Sequence, residues 1–317
     1  MVNILVTGGG GFIGRELVKA LAKQRRNKIT VFERNINNRI PGVEYIRGDI
    51  TISEDVKRAV KGKDYVYHLA AIIDETCPKK IIFDINVGGT ISVLEACRKE
   101  KVKKLIYLST AGVITETMNQ ADEKTSYGPR TNYERSKALA EKTAIEYYKR
   151  HRFPVVIIRP ALLYGPNAYW NVILREAQKV FPLIGSGKNK WHMLYIKNLI
   201  PVLVNVKTRG KDGNVYIIAD DEVYTYEEMY CIIREKLDIK RKPVHIPVWF
   251  AKFIALLYMI AGKKSIVNKD HIDRLIKNKW YNISKAKRQL KYSPKYNFNK
   301  GIRETIKYFR DEGLLKR

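Results

Sequence analysis

The stretch Thr7-Gly8-Gly9-Gly10-Gly11-Phe12-Ile13-Gly14, placed directly after the apolar run VNILV, constrains the fold of this chain more than any other feature. Two glycine patterns fit it at once, Gly9-x-Gly11-x-x-Gly14 and Gly8-x-x-Gly11-x-x-Gly14. Both imply the same physics. Glycines allow a tight strand-to-helix turn, a close approach of the backbone to a pyrophosphate and close helix–sheet packing, while the helix N-terminus offers unpaired N–H groups and a positive dipole end. A strand, such a loop and an amphipathic helix at the head of a βαβ rhythm read together as a dinucleotide-binding start.

That rhythm runs through the first two-thirds of the chain and loosens from about Gly165. Strands are predicted at Asn3–Thr7, Lys28–Glu33, Val43–Arg47, Tyr65–Leu69, Lys104–Ser109 and Pro154–Arg159, with helices at Ile13–Arg25, Ser53–Val60, Lys79–Glu100 and Tyr133–Arg150. Consecutive apolar residues, as in VVII, suit strands covered on both faces. The expected fold is α/β, a Rossmann-type doubly wound parallel sheet spanning residues 1–165. A smaller, mainly helical part over 166–317 is expected to bind substrate. Its predicted helices are Ala168–Val180, Tyr195–Val206, Thr225–Leu237 behind a Thr225-x-x-Glu228 capping box, Val248–Ala261 and Lys300–Asp311. Val215–Ala219 is expected as a strand that can return to the main sheet.

Composition narrows the function classes. Sixty Lys+Arg against 32 Asp+Glu give a net charge of +28, which suits a phosphate-bearing ligand or an anionic surface. The basic residues are scattered, with short clusters at Lys101/Lys103/Lys104 and Lys240/Arg241/Lys242, so a solvated, Lys-rich surface is the preferred reading and nucleic acid is not expected as a partner. The apolar segment Val248–Ala261 falls short of the roughly 20 residues needed to span a bilayer and reads as a buried or interfacial helix; peripheral membrane contact is the less favoured reading. Three dispersed cysteines, Cys77, Cys97 and Cys231, offer neither a zinc nor a disulfide framework and suggest a reducing compartment. No basic n-region precedes the first strand. The expectation is a soluble, cytoplasmic protein without a metal site.

The second strand ends Val31-Phe32-Glu33-Arg34. Glu33 is placed to accept both adenosine ribose hydroxyls and repel a 2′-phosphate, which favours NAD; Arg34 could hold that phosphate, which keeps NADP as the alternative. Asp49, after the third strand, is placed for the adenine amino group or as a turn residue. Hydride exchange with a secondary alcohol also requires a proton to enter or leave the same oxygen. A tyrosine does this when a lysine one helical turn later favours its ionised form. Tyr-x-x-x-Lys occurs three times, at Tyr133/Lys137, Tyr281/Lys285 and Tyr296/Lys300. Only the first begins a helix after a strand ending Leu108-Ser109-Thr110, on the carboxyl side of the sheet, and it is taken as the acid–base pair.

These motifs together identify a resemblance to the extended short-chain dehydrogenase/reductases, the NAD-dependent epimerase/dehydratase group, over nearly the whole length. TGGGGFIG at 7–14, RGDI at 47–50, DYVYHLAA at 64–71, NVGGT at 86–90, KLIYLSTAGV at 104–113, YERSK at 133–137 and RPALLYGP at 159–166 occur in the order that family shows. The resemblance implies Tyr133 as acid/base, Lys137 also on the nicotinamide ribose, and Thr110, with Ser109 as rival, holding the reacting oxygen. It implies Gly8, Gly11, Phe12, Ile13 and Gly14 at the pyrophosphate, and Ile50, Leu69, Ala70, Ala71 and Pro160 along the cofactor. Asn86 is implied as a helix-borne support of the lysine, and His68 as a structural histidine. A homodimer through the Lys79–Glu100 and Tyr133–Arg150 helices is implied as well.

For substrate, the family's nucleotide-sugar members often carry Gly-x-Gly-x-x-x-Arg-Asp-Phe-x-Tyr-Val. Here Gly185-x-Gly187 is followed by Trp191-His192 where Arg-Asp is expected, with Lys188 or Lys190 supplying point charges only. Substrate contacts are expected at Thr110, Tyr164, Asn167, Lys190 and Trp191. A nucleotide-sugar epimerase or dehydratase is the leading expectation. The alternatives are a net dehydrogenase of a hydrophobic alcohol, similar to 3β-hydroxysteroid dehydrogenase or dihydroflavonol reductase, and a non-catalytic dinucleotide-binding regulator.

Overall fold

The structure, a computed structural model, describes residues 1–36, 39–178, 182–240, 243–260, 272–273 and 275–315. The first six strands are β1 (Val2–Thr7), β2 (Asn27–Glu33), β3 (Glu44–Arg47), β4 (Tyr65–His68), β5 (Lys104–Leu108) and β6 (Val155–Pro160). Later come β7 (Leu162–Tyr164), β8 (Leu183–Ile184), β9 (Lys190–Tyr195), β10 (Val215–Ile218), β11 (Val223–Thr225) and β12 (His245–Ile246). The main sheet has seven strands in the order β10-β6-β5-β4-β1-β2-β3, every neighbouring pair parallel. It is a Rossmann-type doubly wound sheet, and β10 adds a seventh strand beside β6.

Each strand alternates its apolar side chains between two cores, as the pleat requires. Ile4, Val6, Ile29, Val31, Ile106, Val156 and Ile158 pack on one face, where α1 (Phe12–Ala22) lies. Leu5, Phe32, Val66, Leu105, Val155 and Ile157 pack on the other, against α2 (Ser53–Val60), α4 (Gly89–Lys99) and α5 (Asn132–His151). The helix expected at Lys79–Glu100 is built from α3 (Lys79–Phe83), one π turn at Asp84–Gly88, and α4. β1 and β4 are neighbours whose following segments leave toward opposite faces, and this opens a crevice at their carboxyl ends.

The C-terminal part is mainly helical, as expected, and also carries short strands that were not expected. Besides α6 (Ala168–Ala177), α7 (Ile196–Arg209), α8 (Tyr226–Lys236), α9 (Val248–Ile260), α10 (Ser284–Leu290) and α11 (Phe298–Asp311), it holds a three-stranded sheet β11-β9-β7 and the pair β12-β8. These strands have two to six residues, too short for a period-2 pattern to stand out from apolar helix sequence. The capping box expected at Thr225/Glu228 is present. Val180, Arg241, Lys242 and Ala261, named in the expectations above, lie outside the described residues. Among the described residues no helix is long and apolar enough to cross a membrane.

Candidate active site

The glycine loop sits at the crevice. Gly8 has φ +71°, and a Cβ there would stand 2.7 Å from the backbone N of Ala70, so the loop and the Ala70 segment meet without side chains between them. At Gly14 a Cβ would fall 2.1 Å from Gly8 O. Phe12, at the first position of α1, lies against Gly165, where a Cβ would be 2.9 Å from its Cζ. Glu33 Oε2 accepts a hydrogen bond from Gly10 N at 2.8 Å, whereas Oε1 is buried with no partner. Burial raises the Glu33 carboxyl above its ordinary value, partly offset by the Gly10 bond. Exposed Arg34 follows it and faces Asp49, whose carboxyl is held low by Thr51 bonds first and by Arg34 last. Asp49 Oδ1 takes both the N–H and the hydroxyl of Thr51 at 2.9 and 2.7 Å. Ile50 is buried against Gly89.

A buried hydrogen-bond chain ties the crevice to α5. Ala70 N donates to Thr7 Oγ1, which sits 2.7 Å from His68 Nδ1; His68 Nε2 is 3.0 Å from Thr90 Oγ1, which donates to Asn86 O. Because the Thr90 proton is used on Asn86, Nε2 carries the imidazole hydrogen and Nδ1 accepts from Thr7. Burial and the Lys137 charge push His68 down to about 3, so it is a neutral link and no proton carrier at neutral pH. Asn86, 1% exposed, clamps Ile72 through N–H and C=O and donates to Ser136 Oγ at 2.9 Å, and Ser136 donates to Tyr133 O at 2.7 Å. Asn86 thus supports the residue before Lys137; its amide groups bond Ile72 and Ser136.

α5 starts where the chemistry was expected, and its first turn is fully capped. Thr131 Oγ1 accepts from Glu134 N, and Glu134 returns a bond to Thr131 N. Glu75, from the segment after β4, accepts from Asn132 N at 3.2 Å and Tyr133 N at 2.9 Å. Tyr133 is half-buried and Lys137, one turn on, is 2% exposed. Lys137 Nζ lies 4.2 Å above the Tyr107 ring, a cation–π contact. The expected acidification of the phenol is not the balance among these side chains. Burial raises Tyr133, helped by the charges of Glu134 and Glu75. Burial lowers Lys137 to about 7, against an opposing pull from Glu141. Two buried ionisable groups each move toward neutrality when solvent is removed.

Ser109 and Thr110 are separated by the structure. Ser109, 4% exposed, donates to Glu141 Oε2 at 2.5 Å. Glu141 also takes Tyr127 OH at 2.7 Å and both Nε and Nη2 of Arg159, inside a fully buried ion pair. Thr110 is half-buried and caps the short 3-10 turn Ala111–Val113 through Gly112 N. Glu141, four residues after Lys137, and Arg159, directly before Pro160, were missed by the sequence reading. Their signal was a Lys-x-x-x-Glu spacing on a helix and an arginine inside a run of buried strand residues. Glu75 and the Thr131/Glu134 box were missed as well, although Thr-x-x-Glu is legible.

The expected substrate residues do not all gather at the crevice. Tyr164 is 0% exposed, packed among Trp170, Tyr195 and Phe298, with its hydroxyl on Asn297 O. It is a core residue, since β7 lies under α11. Asn167 caps α6 through Trp170 N. Trp191 is 7% exposed, stacked on Tyr226 under Lys279, with its Nε1 buried and unbonded. Lys190 is exposed over Trp280 at 3.7 Å. A crevice lies between Gly112, Thr115 and Glu134 on one side and Lys279, Trp280 and Tyr281 on the other. Tyr281 is buried beside His192, and Lys285 bonds Val215 O, while Lys300 sits over the Tyr296 ring. Neither of these two pairs faces the glycine loop.

The residues fit a dinucleotide. The side-chain-free surface at Gly8 and Gly14 leaves room for a pyrophosphate at the α1 N-terminus, and the unbonded Glu33 Oε1 is an acceptor awaiting hydroxyl donors. Comparison with known proteins agrees. A sequence model of the NAD dependent epimerase/dehydratase family matches residues 4–219. The chain is 30% identical to UDP-glucose 4-epimerase of Vibrio cholerae over 97% of its own length and 95% of that protein's. It is 27% identical to 3beta-hydroxysteroid-dehydrogenase/decarboxylase isoform 1 of Arabidopsis thaliana, over 96% of this chain and 79% of that one. Its fold matches the crystal structure of dTDP-glucose 4,6-dehydratase from Bacillus anthracis in complex with NAD, with a TM-score of 0.79, 24% identity and 99% and 100% coverage.

Proposed function

The chain belongs to the NAD dependent epimerase/dehydratase family, and from that premise we propose that it inverts a hydroxyl-bearing carbon of a nucleotide sugar. The observation that carries this reading is the placement of Tyr133 and Lys137 on the capped first turns of α5. NAD, when bound, supplies the hydride acceptor and donor. Tyr133 Oη takes the hydroxyl proton as the carbon is oxidised and returns it on reduction. The Lys137 ammonium favours the ionised phenol. Thr110 holds the substrate oxygen, and Ser109 stays with Glu141. Gly8, Gly11, Phe12, Ile13 and Gly14 hold the pyrophosphate; Glu33 takes the ribose hydroxyls and selects NAD; Asp49, Ile50, Leu69, Ala70, Ala71 and Pro160 line the cofactor. Residues 1–165 with β10 would carry the cofactor, and 166–317 the substrate.

A homodimer through α3, α4 and α5 is part of the proposal, supported by the exposed Ile81, Ile91 and Leu139. So is a cytoplasmic setting, in which Cys77, Cys97 and Cys231 stay unpaired. A second reading, net oxidation of a hydrophobic alcohol, draws on Trp191 and His192 standing where Arg-Asp is expected, so that the arginine that would grip a diphosphate is missing. The test is incubation with UDP-, GDP- and dTDP-hexoses, with products followed by NMR. Interconversion of epimers without accumulating NADH is expected. Steady NADH production on a sterol or similar secondary alcohol, with every sugar unchanged, would replace the first reading by the second.

A further inference from the structure

α9 is built inside out. Its inward stripe is Ala251 and Ala255, one turn apart and 6% and 9% exposed, packed with Ile184 and Ile272. The large side chains point the other way. Trp249 is 69% exposed, Phe253 50%, Leu257 48%, Leu256 45%, Phe250 39% and Ile254 36%, with Val244 just before the helix at 58%. An ordinary surface helix buries its large apolar residues and exposes charge. A contiguous patch of this kind on a water-facing helix marks a contact surface. The 13-residue helix is about 20 Å long, too short for the ~30 Å hydrocarbon core, so it would lie along a surface and not pass through it.

The charges around it state what the surface is. From Lys240 to Arg274 the sequence carries eight lysines and arginines against two acidic residues, Asp270 and Asp273. On α9 itself Lys252 pairs with Asp273 at 2.7 Å, so the positive excess belongs to the flanking sequence; an apolar helix face with aromatic residues in a segment of net positive charge is complementary to anionic headgroups over acyl chains. We propose that α9 seats this protein on an anionic lipid bilayer. Val248 at its start touches Gly185, where a Cβ would come 3.2 Å from its Cγ2, and β8 just before that glycine pairs with β12 just before α9. The seated helix is therefore packed directly on the Gly185–Gly187 turn that leads into β9.

The test is co-sedimentation of the full chain with vesicles of phosphatidylcholine alone and of phosphatidylcholine with about 30 mol% phosphatidylglycerol, at two salt concentrations, alongside sedimentation velocity without lipid. Binding to the anionic vesicles is expected, weakened in the double variant W249D/F253D by at least about tenfold, with its circular dichroism and melting temperature unchanged. No binding to either vesicle overturns the proposal. Binding that salt removes and W249D/F253D does not overturns it too, because the general basic surface would then suffice. A lipid-free oligomer that dissociates in W249D/F253D, with no vesicle binding, assigns the face to a second copy of the chain instead.

Discussion

The Glu75 carboxylate, carried by the segment after β4, accepts the backbone N–H of Tyr133 at 2.9 Å. One acidic side chain from the cofactor side of the crevice thus fixes the start of the helix that bears the phenol. It also raises the phenol, after burial and Glu134, by its charge.

Tyr133→Phe is expected to lower turnover by about 10²- to 10⁴-fold while NAD affinity, read by calorimetry, stays within about twofold. Removing the negative charge by Glu75→Gln keeps an acceptor for the Tyr133 N–H. The ionised phenol then becomes cheaper, so the rising limb of the rate against pH moves to lower pH, by less than about one unit. A limb that stays in place would detach Glu75 from the phenol.

Ser109→Ala and Thr110→Ala should part company. The first leaves buried Glu141 one donor short, and should cost about 1–3 kcal/mol of stability, measured by denaturant titration. The second removes a half-buried cap hydroxyl and should cut turnover with little change in unfolding midpoint. Equal effects of the two on both measurements would undo the division of labour drawn from Ser109's bond to Glu141.

Lys137 is lowered to about 7 by burial. Because its folded value is depressed below that of the unfolded chain, the unfolded state binds the extra proton between about pH 7 and 10, and this lysine's contribution to stability improves as pH rises through that window. Lys137→Met should therefore raise the melting temperature of the ligand-free protein at pH 7, by a few degrees for about 1–2 kcal/mol, while abolishing turnover. A lower melting temperature would mean that the contact with the Tyr107 ring outweighs the burial of the charge.

Glu33→Ala should weaken NAD about 10- to 100-fold, as expected for losing charge-assisted bonds of 1.5–3 kcal/mol, and should narrow the preference over NADP because Arg34 remains. An unchanged ratio of the two affinities would remove Glu33 from cofactor selection.

The sheet and the glycine loop were legible because both repeat or concentrate one residue type: apolar runs such as VVII, and five glycines within seven positions between Gly8 and Gly14. That Tyr133 and Lys137 sit on the first turns of a helix was legible from position alone. What escaped was contact between distant segments. Glu75 and Tyr133 lie 58 residues apart, and nothing local to either predicts the bond. Tyr164 looked available because RPALLYGP ends beside the crevice, yet β7 is covered by Phe298 of α11, more than a hundred residues on. Val248–Ala261 was ambiguous for the opposite reason. A run apolar on every side gives no period from which to choose the inward face, and packing against Ile184 and Ile272 chose the alanines.

β10 reaches the main sheet only after the chain has left to build β7, β8 and β9, and it lies along β6, every residue of which is buried. Cutting the gene after Gly165 would therefore not liberate a tidy nucleotide-binding fragment. It would strip the cover from Val155–Pro160 and leave an oily open margin able to zip onto other chains, so an expressible fragment has to run on past Ile218.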